Sequence, residues 1–351
     1  MSSKKARGEL IRQQILRDVA HHPDDIAAHI SRIFSITRQA VNKHIRKLTV
    51  DGWLIYTGST KGRRYHLGPR RKSQAFISLT PGLSEDMLYY KHVEWVVQGL
   101  PHNIFKIIEY GFMEMMNNVI DHSDGSECFI SIDRELDRIT VYLSDNGEGI
   151  FKRIKRLKNL EDERQALVEL HKGKLTTDPE NHSGQGIFFT SKMFDAFVIW
   201  SYEMEFSHYE NRPLDVFTDR HEFENDSNGT SVLMQIPLNS MSSSFEVFQR
   251  FTDTDDDNLA FNKTIIPVAM ARFGHENLVS RSQARRLLSR LENFQFVIFD
   301  FADVPTVGQS FADQIFRVYR LAHPEINISH ANGNAEVVAM IRRAESDLGN
   351  P

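Results

Sequence analysis

Apolar residues recur at helical spacing through the first fifty positions. In residues 8–20 (GELIRQQILRDVA), Leu10, Ile11, Ile15, Leu16 and Val19 share one face, which predicts an amphipathic helix. A second helix starts at Pro23 and Asp24 and buries Ile26, Ala27 and Ile30. A third, capped by Thr37, carries Ala40, Val41, Ile45 and Leu48 and stops at Gly52. The pattern then shortens to WLIYT and RRYHL around the turn GSTKG, a β-hairpin signal. These elements define a first unit, residues 1–70. Residues 71–85 read as a connector.

Helical and strand patterns mix between 86 and 240. A helical stretch ends near His122, and CFISI and ITVYLS alternate as a second hairpin. A polar segment, a short helix (IFFTSKMFDA) and the strands FVIWSY and SVLMQIPL follow, which predicts an α/β sandwich. Residues 241–260 contain TDTDDDN and read as a solvated acidic linker. In 261–345 the apolar strand FQFVIFDFADV lies between the helical patterns SQARRLLSRL and SFADQIFRVYRLA, a small α/β unit. The expected fold class is therefore multidomain α+β.

Charge sharpens this division. The net charge of −5 conceals 16 Lys and Arg against five Asp and Glu in residues 1–72, a net +11. The remaining residues carry 26 against 42, a net −16. A polyanion is thus the expected partner of the first unit alone. The single cysteine, Cys128, allows no internal disulfide and fits a reducing compartment. The basic N-terminus is followed by no apolar signal region, and no run approaches the roughly 18–20 apolar residues of a membrane span. A cytoplasmic address without membrane contact is expected.

On the third helix, Arg38, Gln39, Asn42, Lys43 and Arg46 lie opposite the apolar stripe, long donors and amides suited to base edges and phosphates. Lys61, Arg63 and Arg64 fall at the hairpin tip. With TRQAVNKHIRKL, residues 1–70 resemble the winged helix-turn-helix family, which implies double-stranded DNA as partner. The competing reading is a solvated charged face on a dimerisation domain.

Four stretches carry candidate chemistry: EMMNNVIDHS (114–123), SDNGEGI (144–150), HSGQGIFF (182–189) and NGTSVLMQIP (228–237). In this order they resemble the boxes of the GHKL (Bergerat-fold, histidine kinase-like) ATPases, the superfamily of gyrase, histidine kinases and mismatch-repair ATPases. The resemblance covers about residues 100–240 and implies ATP and Mg²⁺ as cofactors. Glu114 and Asn118, at i and i+4, share a helix face. Asn118 would offer Mg²⁺ an amide oxygen, and Glu114 would act as catalytic base on the nucleophile attacking the γ-phosphate. Asp145 would accept from the adenine amine, where guanine presents an acceptor instead. Gly147 and Gly149 would let backbone approach base and sugar, and Gly184, Gln185 and Gly186 would bring amides to the phosphates. Thr230 would share a water with Asp145. His122 matches a position often held by histidine in the serine-kinase branch, and a structural histidine is the alternative. Lys172 and Lys174, in the expected lid (151–186), are either phosphate ligands or solvated lysines. Without a phosphoacceptor-histidine helix or a transducer domain, the sensor-kinase, gyrase and mismatch-repair branches are disfavoured.

VIFDFADVPTVGQSFADQIF (297–316) resembles the strand–loop–helix of the anti-sigma-factor antagonist (STAS) fold. There a serine at a helix start is phosphorylated, and Ser310 falls near that position. Gly308-Gln309-Ser310-Phe311 departs from the usual Asp-Ser-Ser-Gly, so Ser310 is either a phosphoacceptor or an N-cap. Three functions follow as expectations: an ATP-responsive, DNA-binding transcription regulator; an anti-sigma-type serine protein kinase acting on its own STAS-like domain or on a partner; and a non-enzymatic, nucleotide-bound scaffold. A protein partner for the STAS-like unit and a homodimer remain open.

Overall fold

A computed structural model of the chain describes residues 3–59, 62–160, 162–174, 184–212, 216–219, 228–252, 261–272 and 277–346. Helices α1 (Ser3–Asp18), α2 (Ile26–Phe34) and α3 (Arg38–Val50) precede an antiparallel hairpin of β1 (Leu54–Thr57) and β2 (Arg64–Leu67). Ile15, Val19, Ile30, Val41 and Leu54 form a core that belongs to this unit alone. The Thr37 hydroxyl accepts the Ala40 amide at 3.2 Å, so the expected cap of α3 forms. The α2 cap is Asp25 rather than the Pro23–Asp24 start, and Asp24 instead binds Arg64.

The central unit contains β3 (Arg71–Ser78), α4 (Glu85–His92), α5 (Glu94–Val97), α6 (His102–His122), β4 (Glu127–Arg134) and β5 (Arg138–Asp145). It continues through α7 (Ile150–Lys158), α8 (Glu163–Lys172), α9 (Gly186–Met193), β6 (Ala196–Ser201), β7 (Met204–Tyr209), β8 (Val216–Asp219) and β9 (Ser231–Pro237). Seven antiparallel strands lie in the order β3-β4-β5-β9-β6-β7-β8. Ile130, Ile132, Val141, Leu143, Met234 and Ile199 point to one face, where Ile107, Ile108, Phe112 and Met115 of α6 cover them. At Gly111 a side chain would meet the Phe194 ring at 2.5 Å, so glycine lets α6 close on the end of α9.

Three expectations are corrected here. Residues 71–78 of the expected connector form β3, an edge strand. Ser73, Ala75 and Ile77 oppose Ile132, Ile130 and Cys128 of β4, while Phe76 is exposed. A strand paired on one side, starting with Arg71-Lys72, lacks the apolar alternation that marks β4 and β5. The polar stretch after Gly149 contains two helices, and α7 buries only Phe151 and Ile154 among five basic residues. The expected acidic linker contains α10 (Ser244–Phe251), which inserts Val247 and Phe251 into the core. Residues 253–260, and residues 161 and 175–183 of the expected lid (151–186), lie outside the described residues.

The C-terminal unit runs β10 (Lys263–Pro267), α11 (Arg281–Leu288), β11 (Phe296–Asp300), α12 (Gln309–Asp313), a π-helical turn (Gln314–Tyr319), α13 (Arg320–Ala322), β12 (Asn327–Ala331) and α14 (Ala335–Ser346). Its three strands are parallel, and the helices supply the crossovers parallel pairing requires. Its core is continuous with that of the central unit. The rings of Phe188 and Phe261 lie 4.8 Å apart and those of Phe261 and Phe294 5.5 Å apart, bridging the two. No helix of the described residues is long and apolar enough to cross a membrane.

Candidate nucleotide site

α6, β5, α9 and the start of β9 converge on a cavity of about 300 Å³. Glu114, Asn118, Asp145, Gly149, Gly184, Gly186 and Thr230 all line it, although up to 116 positions separate them in the sequence. Gly147 and Gln185 do not line it but adjoin residues that do.

Asp145 ends β5 and is buried. Its Oδ1 accepts the amides of Gly147 at 2.8 Å and Thr230 at 3.2 Å, and no described residue donates to Oδ2. One oxygen is thus tied to the turn, and the other is left for a ligand. Burial raises the carboxyl's pKa, partly opposed by those amide donors.

On α6, Asn118 Nδ2 donates to the Glu114 carbonyl at 2.9 Å. That bond fixes the amide orientation and leaves the oxygen as the acceptor end, as a hard-metal ligand requires. The Glu114 carboxylate stands against the first residue of α9, where a Cβ on Gly186 would overlap Oε2. Gln185, the N-cap of α9, makes no side-chain cap bond. An acid therefore faces a helix N-terminus, whose amides and dipole favour negative charge.

Several expected roles change. A Cβ on Gly147 would overlap the Ser123 carbonyl, so this glycine lets the turn close on the end of α6 rather than on base and sugar. Gly149 lines the cavity, but at φ +89° its Cβ would meet Tyr202 at 2.5 Å and Ser201 Oγ at 2.6 Å. Packing against protein also demands that glycine. The Thr230 hydroxyl accepts the Ile150 amide at 3.0 Å, which occupies part of its capacity for a shared water. Lys172 is neither solvated nor a phosphate ligand, because its Nζ donates to buried Glu169 at 2.7 Å and the Ser289 carbonyl at 2.6 Å. Lys174 donates to the Asn293 carbonyl at 2.6 Å.

Arg153, Leu170 and Phe188 also line the cavity, with His122 at the end of α6. Arg153 pairs with Asp124 at 2.5 Å, and its Nε is buried without a partner among the described residues. The signal for Arg153 was its i+4 spacing from Gly149, readable only once α7 is recognised as a helix. Among the described residues no cluster of three or more His, Cys, Asp or Glu could hold a metal.

In the N-terminal unit Arg38, Gln39, Asn42, Lys43 and Arg46 are exposed along α3. Arg63 stacks over Tyr56 at 4.5 Å. Arg64 is committed to Asp24 at 2.9 Å, so it ties the hairpin to the approach to α2. Lys61 lies outside the described residues. Ser310 is exposed at the second position of α12, and Gly308 is the N-cap, so the capping alternative for this serine does not hold.

Two comparisons with known proteins bear on the chain. No curated protein matches it. Residues 283–338, from α11 into α14, match the family of STAS-like domains of unknown function (DUF4325), so the C-terminal unit contains a STAS-like domain.

Proposed function

We propose that this chain is an ATP-binding, DNA-binding regulator in which Mg-ATP binding or hydrolysis by a GHKL-type central unit controls engagement of DNA or of a protein partner. The observation that carries the reading is the convergence of four sequence-distant stretches on one cavity, with a buried carboxylate presenting a single unused oxygen. Asp145 Oδ2 accepts from the 6-amine of adenine, where guanine presents a carbonyl oxygen, and this selects adenine over guanine. Asn118 would hold Mg²⁺ through its amide oxygen, and an ion of this kind needs no all-protein cage. The chemistry such a metal would supply there is neutralisation of phosphate charge. Glu114 takes the proton of the attacking water or hydroxyl, and the start of α9 receives phosphate oxygens.

Titration with mant-ATP and mant-GTP tests the reading. Saturable binding of the adenine nucleotide alone supports it, and absence of binding by the wild-type chain overturns it.

The exposed donors of α3 support a duplex-DNA partner. Lys43→Ala is expected to reduce the slope of log affinity against log salt by about one, as loss of one phosphate contact does. Fluorescence anisotropy at several salt concentrations reads this. An unchanged slope and affinity remove Lys43 from the interface.

The serine-kinase reading has its own support in the STAS-like domain and exposed Ser310. Transfer of labelled phosphate from ATP to the chain, lost in Ser310→Ala, would favour it. Turnover without a phosphoprotein would favour a nucleotide-timed switch, and binding without turnover a scaffold.

A further inference from the structure

The wall of the cavity formed by α8 is held from the far side by the C-terminal unit. Leu170 lines the cavity, and three of the next four residues share five hydrogen bonds across the boundary. His171 Nε2 donates to the Ile265 carbonyl at 3.1 Å, and Lys172 Nζ to the Ser289 carbonyl at 2.6 Å. Thr264 Oγ1 donates to the Lys172 carbonyl at 3.0 Å. Lys174 Nζ donates to the Asn293 carbonyl at 2.6 Å, and Arg290 Nη2 to the Lys174 carbonyl at 3.4 Å.

At the centre is the Glu169–Lys172 pair, with side chains 5% and 2% exposed, and Arg290 Nη1 lies 3.6 Å from Glu169. Burial lowers the Lys172 pKa, while Glu169 opposes that shift. If permanent docking were the only requirement, two apolar side chains of similar volume would serve at least as well as a buried ion pair. An ion pair closed by a carbonyl on another unit adds dependence on geometry: it is satisfied in one register of α8 and costly in its neighbours. Gly173, at φ +81°, is wedged between the rings of Phe261 and cavity-lining Phe188. A shift of the C-terminal unit therefore reaches the cavity by a polar and an aromatic route.

We propose that Glu169 and Lys172 are positioning residues through which the STAS-like unit sets the shape of the nucleotide cavity. Nucleotide binding and the state of the C-terminal unit are then thermodynamically linked. The proposal rests on the nucleotide reading given above. Linkage is reciprocal: a partner or modification that shifts the C-terminal unit changes nucleotide affinity, and nucleotide changes affinity for that partner by the same factor.

The experiment uses the full chain with Glu169→Leu and Lys172→Met combined, which removes both charges of the pair together and leaves Arg290, whose side chain is 27% exposed, its access to water. Mant-ATP affinity is expected to fall about tenfold, within the usual range of coupling between sites. In the wild type, saturating ATP is expected to slow amide exchange in residues 289–294, and this protection is lost in the double variant. A merely structural pair would not transmit a nucleotide-dependent change to that loop. Should the double variant fail to fold, the wild-type exchange result decides alone. Wild-type protection that ignores ATP, or a folded double variant with wild-type affinity and exchange, overturns the proposal. If the wild type binds ATP and Asp145→Asn does not, such a result defeats this linkage and leaves the nucleotide reading standing. If neither binds, both fall together.

Discussion

Glu114→Gln is expected to lower ATP turnover by about 10²–10⁴-fold, the usual contribution of a positioned general base. The substitution keeps the shape of the side chain beside Gly186, where there is no room for added bulk. It removes the proton acceptor and one negative charge near the start of α9. Nucleotide affinity is therefore expected to hold or improve, since the carboxylate repels the phosphates it faces. Phosphate release at saturating Mg-ATP, paired with a mant-ATP titration, separates the two effects. Equal turnover in both proteins would deny Glu114 the role of base. Parallel loss of affinity would make it a binding group instead.

Asp145→Asn is expected to weaken adenine nucleotide binding by about 2–3 kcal/mol, or roughly 30–150-fold, the scale of a hydrogen bond to a charged group. An amide can still accept from Gly147 and Thr230 through its oxygen. Its nitrogen then replaces the unused carboxylate oxygen and confronts the adenine amine donor with another donor. The fold survives while recognition fails, so circular dichroism should match the wild type.

The pH dependence carries a distinct sign. Burial raises the folded pKa of Asp145, so the folded chain takes up this proton more readily than the unfolded chain. This group's contribution to stability therefore increases as pH falls through the folded value toward the ordinary carboxylate range. Adenine binding, which needs the ionised oxygen, weakens over the same interval. Opposite trends in melting temperature of the free chain and in nucleotide affinity would identify this carboxyl. An affinity flat across the titration would exclude it.

Features governed by local chemistry were legible in the sequence. The stripe of α3 and its Thr37 cap, the alternation in β4 and β5, and the helical pairing of Glu114 with Asn118 all depend on neighbours within a few positions. The acid–glycine turn after β5 was legible too, but its glycines answer to Ser123, Ser201 and Tyr202, contacts that exist only after folding. Strand β3 escaped notice because one open edge and one open face relax the demand for apolar residues. The two helices after Gly149 escaped for different reasons: α7 buries only two apolar residues among five basic ones, and α8 buries Glu169, His171 and Lys172 beside its apolar residues, so no apolar stripe marks its inner face. Lys172 could not have been read at all. Its burial depends on Ser289, 117 residues away, and on a docking of units that leaves no periodic trace.

The distribution of buried side chains sets how the molecule comes apart on heating. Ile15, Val41 and their neighbours form an isolated nucleus, whereas the seven-stranded sheet and the STAS-like unit share an uninterrupted one. Calorimetry should accordingly record two endotherms, with the N-terminal unit free to melt while the rest stays intact. A mild temperature step would then unfold the exposed basic face of α3 before it disturbed the cavity of the central unit.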